Sequence, residues 1–125
     1  PKTLQSLCRV LSLAEGTPEE KSERFTRLYD LLKDHGRKYG KEYQIPMLGL
    51  AAMLPQDIEE IAQDIVDVDN FLSKEDMYKG IVPKYSKTVR LMHAAMVVAG
   101  SGGNAHNLYI AMEITIWMLF DVLFI

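Results

Sequence analysis

The stretch from Ile45 to Leu54 contains no charged residue, carries Pro46 at its start and is followed by Pro55. A short helix that is apolar all round has no face to give to water, so it belongs in the middle of a fold made by other elements. Those elements can be read outward from it.

Upstream, Leu4, Leu7, Cys8 and Leu11 fall at helical spacing, and the pattern stops at Gly16, a residue suited to the left-handed end of a helix. Thr17-Pro18-Glu19-Glu20 is the most specific local signal in the chain. Its Thr hydroxyl can cap, Pro suits the first helical position, and Glu20 can reach back to the cap amide. The helix it opens places Phe25, Leu28, Tyr29 and Leu32 on one stripe, with Lys21, Glu23, Arg27 and Asp34 away from it, and ends at His35-Gly36. A basic connection through Arg37, Lys38, Gly40 and Lys41 leads into the apolar run.

Downstream, Pro55 is expected to start a helix with Ile58, Ile61, Ala62, Ile65 and Val68 on one side and Glu59, Glu60, Gln63, Asp64 and Asp67 on the other. Ser73 to Asp76 can cap a single turn ending near Gly80, and Pro83 forces a break before a helix from Ser86 to Ala99. Gly100-Ser101-Gly102-Gly103 reads as a flexible hinge, after which Asn104 caps a last helix that runs to Ile125. No segment alternates as a half-buried strand must, and no Asn-Gly or Asp-Gly turn separates apolar runs. The expected fold is all-α, a single compact helical bundle of about five to six helices with no sheet.

With 125 residues, 48% of them hydrophobic, the chain can bury a core without disulfides or metals. Fourteen Lys+Arg against 17 Asp+Glu give a net charge of -3, which argues against nucleic acid as a partner. The lone Cys8 cannot form an internal bridge, and with no signal peptide in view the expected setting is cytoplasmic. Pro1 opens the chain and Ile125 closes it within a hydrophobic run, so residues 1–125 are expected to be one helical domain from a longer protein.

Between Leu108 and Ile125 only Glu113, Thr115 and Asp121 interrupt the apolar character. An acidic residue near a helix centre costs roughly 2.5 to 3.5 kcal/mol on insertion, so a membrane span is not expected. At 100° per residue His106, Glu113 and Asp121 share an arc of about 80°, the wet edge of a core helix. Leu108, Met112, Thr115, Leu119 and Val122 should dock, leaving Trp117, Phe120, Leu123 and Phe124 to meet another molecule.

Motifs for chemistry are sparse. Asp64, Asp67 and Asp69 suggest a carboxylate cluster, but counting from Asp67 the sixth position is Leu72, where a calcium loop needs Gly, and because Asp64 and Asp67 point away from the apolar stripe a solvated acidic face is expected of them. His35 suits a helix C-terminus, and His93, among Met92, Ala94, Ala95 and Met96, reads as a packing residue. His106 with Glu113 two turns on is the nearest approach to an acid/base pair and defines a weak pocket candidate. No nucleophile motif, zinc set or phosphate-binding fingerprint occurs, and neither catalytic residue nor cofactor nor metal is assigned. Met47, Met53, Met92, Met96, Met112 and Met118 suit core filling or an adaptable surface.

Two stretches, LYDLLKDHGRKYGKEYQIPMLGLAAML from Leu28 to Leu54 and RLMHAAMVVAG from Arg90 to Gly100, resemble a bacterial family of unknown function. The resemblance implies a helix-turn-helix pair with a Leu- and Ala-rich run, an acidic helix like Asp57 to Asp69, and a later Arg-Leu-x-x-Ala-Ala helix. It implies a chain generally longer than this one and carries over no activity, cofactor or catalytic residue. The expected function is a protein-interaction or scaffold module that self-associates, or binds another protein chain, through its C-terminal apolar helix. The alternative is a small helical enzyme or ligand binder with a pocket near His106, Glu113 and the glycine-rich hinge.

Overall fold

The computed structural model describes residues 16–81, 83–104, 107–110 and 112–113. Four α-helices, α1 (Pro18–Asp34), α2 (Ile45–Ala52), α3 (Ile58–Ser73) and α4 (Lys87–Gly100), and a 3-10 turn at Asp76–Tyr78 precede helical residues at 107–110 and 112–113. Among the described residues there is no strand, and the fold is all-α. The expected first helix at Leu4–Gly16 falls almost wholly outside the described residues.

α1 begins where the capping box places it. The Thr17 hydroxyl accepts from Glu20 N at 3.2 Å, and Glu20 Oε2 accepts from Thr17 N at 3.4 Å. The two bonds satisfy amides that the helix itself leaves open. Its far end closes at His35, and Gly36 turns the chain at φ +78. α1 and α4 each pack against both α2 and α3. Leu28 and Leu32 from α1, Leu48, Ala51 and Ala52 from α2, Ile61, Ile65, Val68 and Leu72 from α3, and Ala94, Ala95 and Val98 from α4 meet in one core. Burying each large aliphatic side chain there contributes about 1.5 to 3 kcal/mol.

Two boundaries differ from the sequence reading, and a third is sharpened. α2 stops at Ala52 and α3 starts at Ile58 with Asp57 as its N-cap, so Pro55 lies in the bend between them rather than at a helix start. Arg24 of α1 explains the bend. Its Nε donates to Ala52 O at 2.9 Å and its Nη2 to Leu54 O and Gln56 O at 2.7 and 2.9 Å, so a guanidinium closes the last carbonyl of α2 and two carbonyls of the bend. Ser73 is the last residue of α3, its hydroxyl donating to Asn70 O, and Glu75 takes the cap position of the 3-10 turn.

The expected hinge at 100–103 is a folded turn. Gly100 completes α4, and buried Ser101 donates from Oγ to Val98 O at 2.6 Å and accepts from Gly103 N at 3.2 Å. Gly103 sits at φ +88 against the side chain of Gln56, where a Cβ would collide. Asn104 then caps the helical residues that follow, its Oδ1 accepting from Asn107 N at 3.2 Å.

Candidate functional site

α2 is uncharged but is not enclosed on every side. Leu48, Gly49, Ala51 and Ala52 are buried, whereas Leu50 remains 40% exposed. Opposite it on α4, Met96 is 45% exposed although Ala95 and Val97 beside it are buried. Together with Met47, Ala99 and Gly100 these two side chains line an apolar groove of about 330 Å³ that holds no charged residue. A Cβ at Gly100 would meet nothing within 4 Å, so its side of the groove is open. The uncharged run thus occupies the middle of the fold with one face and presents a recess with the other. Beyond the turn, Leu108 and Met112 pack against the core as expected, while Tyr109, Ile110 and Glu113 face outward.

A second cluster surrounds Asp69, which is 2% exposed. Arg90 Nε of α4 donates to Asp69 Oδ1 at 2.7 Å, and Arg37 Nε donates to Asp69 Oδ2 at 3.1 Å. Arg37 also donates to His35 O and Asn70 Oδ1, both at 2.7 Å. One carboxylate thereby ties α3 to α4 and to the 36–44 connection, with each oxygen engaged by a different guanidinium. The connection is fastened again by buried Tyr39 and Gln44. The Tyr39 hydroxyl donates to Leu91 O at 2.6 Å and Gln44 Nε2 to Thr88 O at 2.9 Å. Burial, with the Asp69 charge adding to it, holds the Tyr39 phenol well above its ordinary range. Asp69, Tyr39 and Gln44 are thus engaged in holding the fold.

His93 lies half-buried in an aromatic nest, edge-on to Tyr78 and Tyr85 at centroid distances of 5.9 and 5.2 Å. The Tyr78 hydroxyl is 2.6 Å from His93 Nδ1. Burial pushes the imidazole pKa down and the Tyr78 phenol up, so a neutral ring beside a neutral phenol is the favoured state. His93 is a satisfied packing residue.

The remaining sequence candidates are dispersed. His35 caps α1 at the surface. Asp67 is exposed and accepts from Gln63 Nε2 at 2.9 Å, and half-buried Asp64 has its pKa raised by desolvation, with Asp67 and Glu60 adding to the rise. Among the described residues no group of three or more His, Cys, Asp or Glu side chains could hold a metal ion. Glu113 is exposed, and His106, Trp117, Phe120, Leu123 and Phe124 lie outside the described residues. Among the described residues no helix is long and apolar enough to cross a membrane.

Fold and faces together define an all-α protein in which Asp69, Tyr39 and Gln44 hold helices together and the recess between α2 and α4 is apolar. The chain belongs to a family described as "Protein of unknown function (DUF4003)", whose model matches residues 2–123. No curated protein and no solved structure matches it.

Proposed function

We propose that this chain is a protein-interaction module that self-associates through its C-terminal apolar run, with Trp117, Phe120, Leu123 and Phe124, and through the apolar face of α2 and α4. The observation that supports this most is the exposure of Leu50 and Met96 on the uncharged groove they line with Met47, Ala99 and Gly100. In a twofold dimer the same patch lies on both sides, so it must offer projections and a recess together. Leu50 and Met96 supply the projections, and the methionines can adapt to the fit. A stable pair needs about 1,000 Å² of total buried surface, more than this groove alone presents, which is why the C-terminal run belongs to the proposal. A cytoplasmic setting is supported by the lone Cys8, and a bacterial source by the family resemblance. The enzymatic alternative near His106, Glu113 and the glycine-rich turn rests on the sequence, His106 lying outside the described residues.

Light scattering coupled to size exclusion tests the reading. The expected result is a dimer at micromolar concentration that Met96→Glu and Leu50→Glu convert to monomer with helical circular dichroism intact. A wild-type monomer, or dimers unchanged by both substitutions and by Trp117→Glu, would refute it.

A further inference from the structure

We propose that Met96 is a redox-sensitive modification site: a peroxide converts its thioether to the sulfoxide, and the sulfoxide closes the groove between α2 and α4 to an apolar partner until it is reduced. The inference rests on the self-association proposed for the same groove and adds its regulation.

The chain carries seven methionines, of which Met118 lies outside the described residues. Of the other six, Met77 is 6% exposed, Met47, Met53, Met92 and Met112 are partly buried, and Met96 alone is exposed. Helix geometry explains the difference. α4 buries Ala95 and Val97 and turns the residue between them outward. Side chains on a helix lean toward its N-terminus, so the residues that would lie over Met96 are those one turn further on. These are Ala99 and Gly100, which offer a methyl group and a hydrogen, and a Cβ at Gly100 would stand in open space. The thioether therefore keeps an open approach from solvent.

What the modification does follows from the groove. Met47, Leu50, Met96, Ala99 and Gly100 line it, and none of these side chains carries a hydrogen-bond donor of any strength. A thioether meets a partner there as an adaptable apolar group, whereas a sulfoxide adds a polar oxygen that no lining side chain can satisfy. Water hydrates that oxygen in the free chain. Under an apolar partner it is buried without a hydrogen bond, and in a twofold pair the penalty falls on both sides. The helix itself stays in place, because α4 is held in the core by Leu91, Ala94, Ala95 and Val98.

The step is a two-electron oxygen transfer. The sulfur lone pair attacks one oxygen of hydrogen peroxide, the O–O bond breaks, an S–O bond forms and the second oxygen leaves as water after taking up the proton. Sulfur is oxidised and peroxide is reduced. In the return step two thiols of a methionine sulfoxide reductase supply two electrons and two protons, become a disulfide and release the oxygen as water.

Peptide mass spectrometry after brief hydrogen peroxide treatment of the dilute native chain tests the selectivity. Met96 is expected to oxidise at least about fivefold faster than Met77. Light scattering coupled to size exclusion then compares association before and after treatment, with dithiothreitol present to reverse any oxidation of Cys8. Peroxide should weaken the wild-type dimer at least about tenfold, and a methionine sulfoxide reductase should restore it. Met96→Leu should associate and resist peroxide, while Met96→Gln, with an amide in place of the thioether, should associate weakly without any peroxide. Circular dichroism should be unchanged throughout. The proposal is overturned if Met96 oxidises no faster than Met77, if peroxide leaves the wild-type dimer intact, or if it still dissociates the Met96→Leu dimer. A wild-type chain that is monomeric before any peroxide is added refutes the self-association reading instead, and this inference falls with it.

Discussion

The Tyr78 hydroxyl lies 2.6 Å from His93 Nδ1, so the 3-10 turn and α4 are joined by a hydrogen bond to a half-buried imidazole. Burial lowers the His93 pKa below its ordinary value in the folded chain. The unfolded state then binds more protons than the folded state in that window. Stability from this residue is complete above the ordinary histidine value and is lost as pH falls toward the lowered one. Urea melts across that range should show declining stability in the wild type, with a shallower decline in His93→Gln.

Asp69 makes a different kind of contribution. Replacing it with Asn keeps the shape but leaves Arg37 and Arg90, both largely buried, without their shared counter-charge. Removing one partner of a buried ionic group costs about 3 to 5 kcal/mol, and the lower end applies here because both guanidinium groups retain some contact with water. Chemical denaturation of Asp69→Asn should show a loss of about 3 kcal/mol, whereas Asp67→Asn on the exposed face should lie within about 0.5 kcal/mol of wild type.

Ile61 and Ile65 are fully buried, and Ile61→Asp or Ile65→Asp should leave the chain unfolded by circular dichroism at room temperature. Asp64→Asn should hold or slightly raise the melting temperature at neutral pH. Desolvation and the neighbouring Asp67 and Glu60 charges already disfavour its ionised form. A marked loss of stability in Asp64→Asn would mean that the carboxylate has a binding role.

Arg24 closes three carbonyls of the α2–α3 bend from a helix more than twenty residues away in sequence. Arg24→Met keeps much of the aliphatic stem but removes every donor. A destabilisation of about 2 kcal/mol is expected, with Arg24→Lys recovering part of it. Thermal melts of the two variants check the order.

What could be read from sequence depended on whether its cause was local. The Thr17 cap box needs only residues within one turn, and its hydrogen bonds occur as that spacing requires. The stripe Ile58, Ile61, Ala62, Ile65 and Val68 was equally plain, and all five are buried. Asp69 was missed because in the run Asp64, Asp67, Asp69 it looks like one more solvated acid. One signal was available: it stands four residues after Ile65 and three before Leu72, which puts it on the buried side of α3. Its partners Arg37 and Arg90 are 32 and 21 residues away, and spacing says nothing about contacts of that range. Leu50 escaped for the reverse reason. A charge-free run shows that α2 tolerates burial all round, but the neighbours that pack on it cover only part of its circumference.

The 36–44 connection has no helical hydrogen bonds of its own through Gly40, yet Tyr39 and Gln44 within it are fully buried and bonded to α4 carbonyls 52 and 44 residues away. Its order is therefore on loan from the second half of the chain. When α4 detaches, Tyr39 and Gln44 lose their α4 partners and only the Arg37 end stays fastened, to Asp69 and Asn70 of α3, so residues 39–44 should open together with α4. In native-state hydrogen exchange its protected amides should report the opening free energy of α4, while the first turns of α1, closed by their own cap, should exchange on a separate scale.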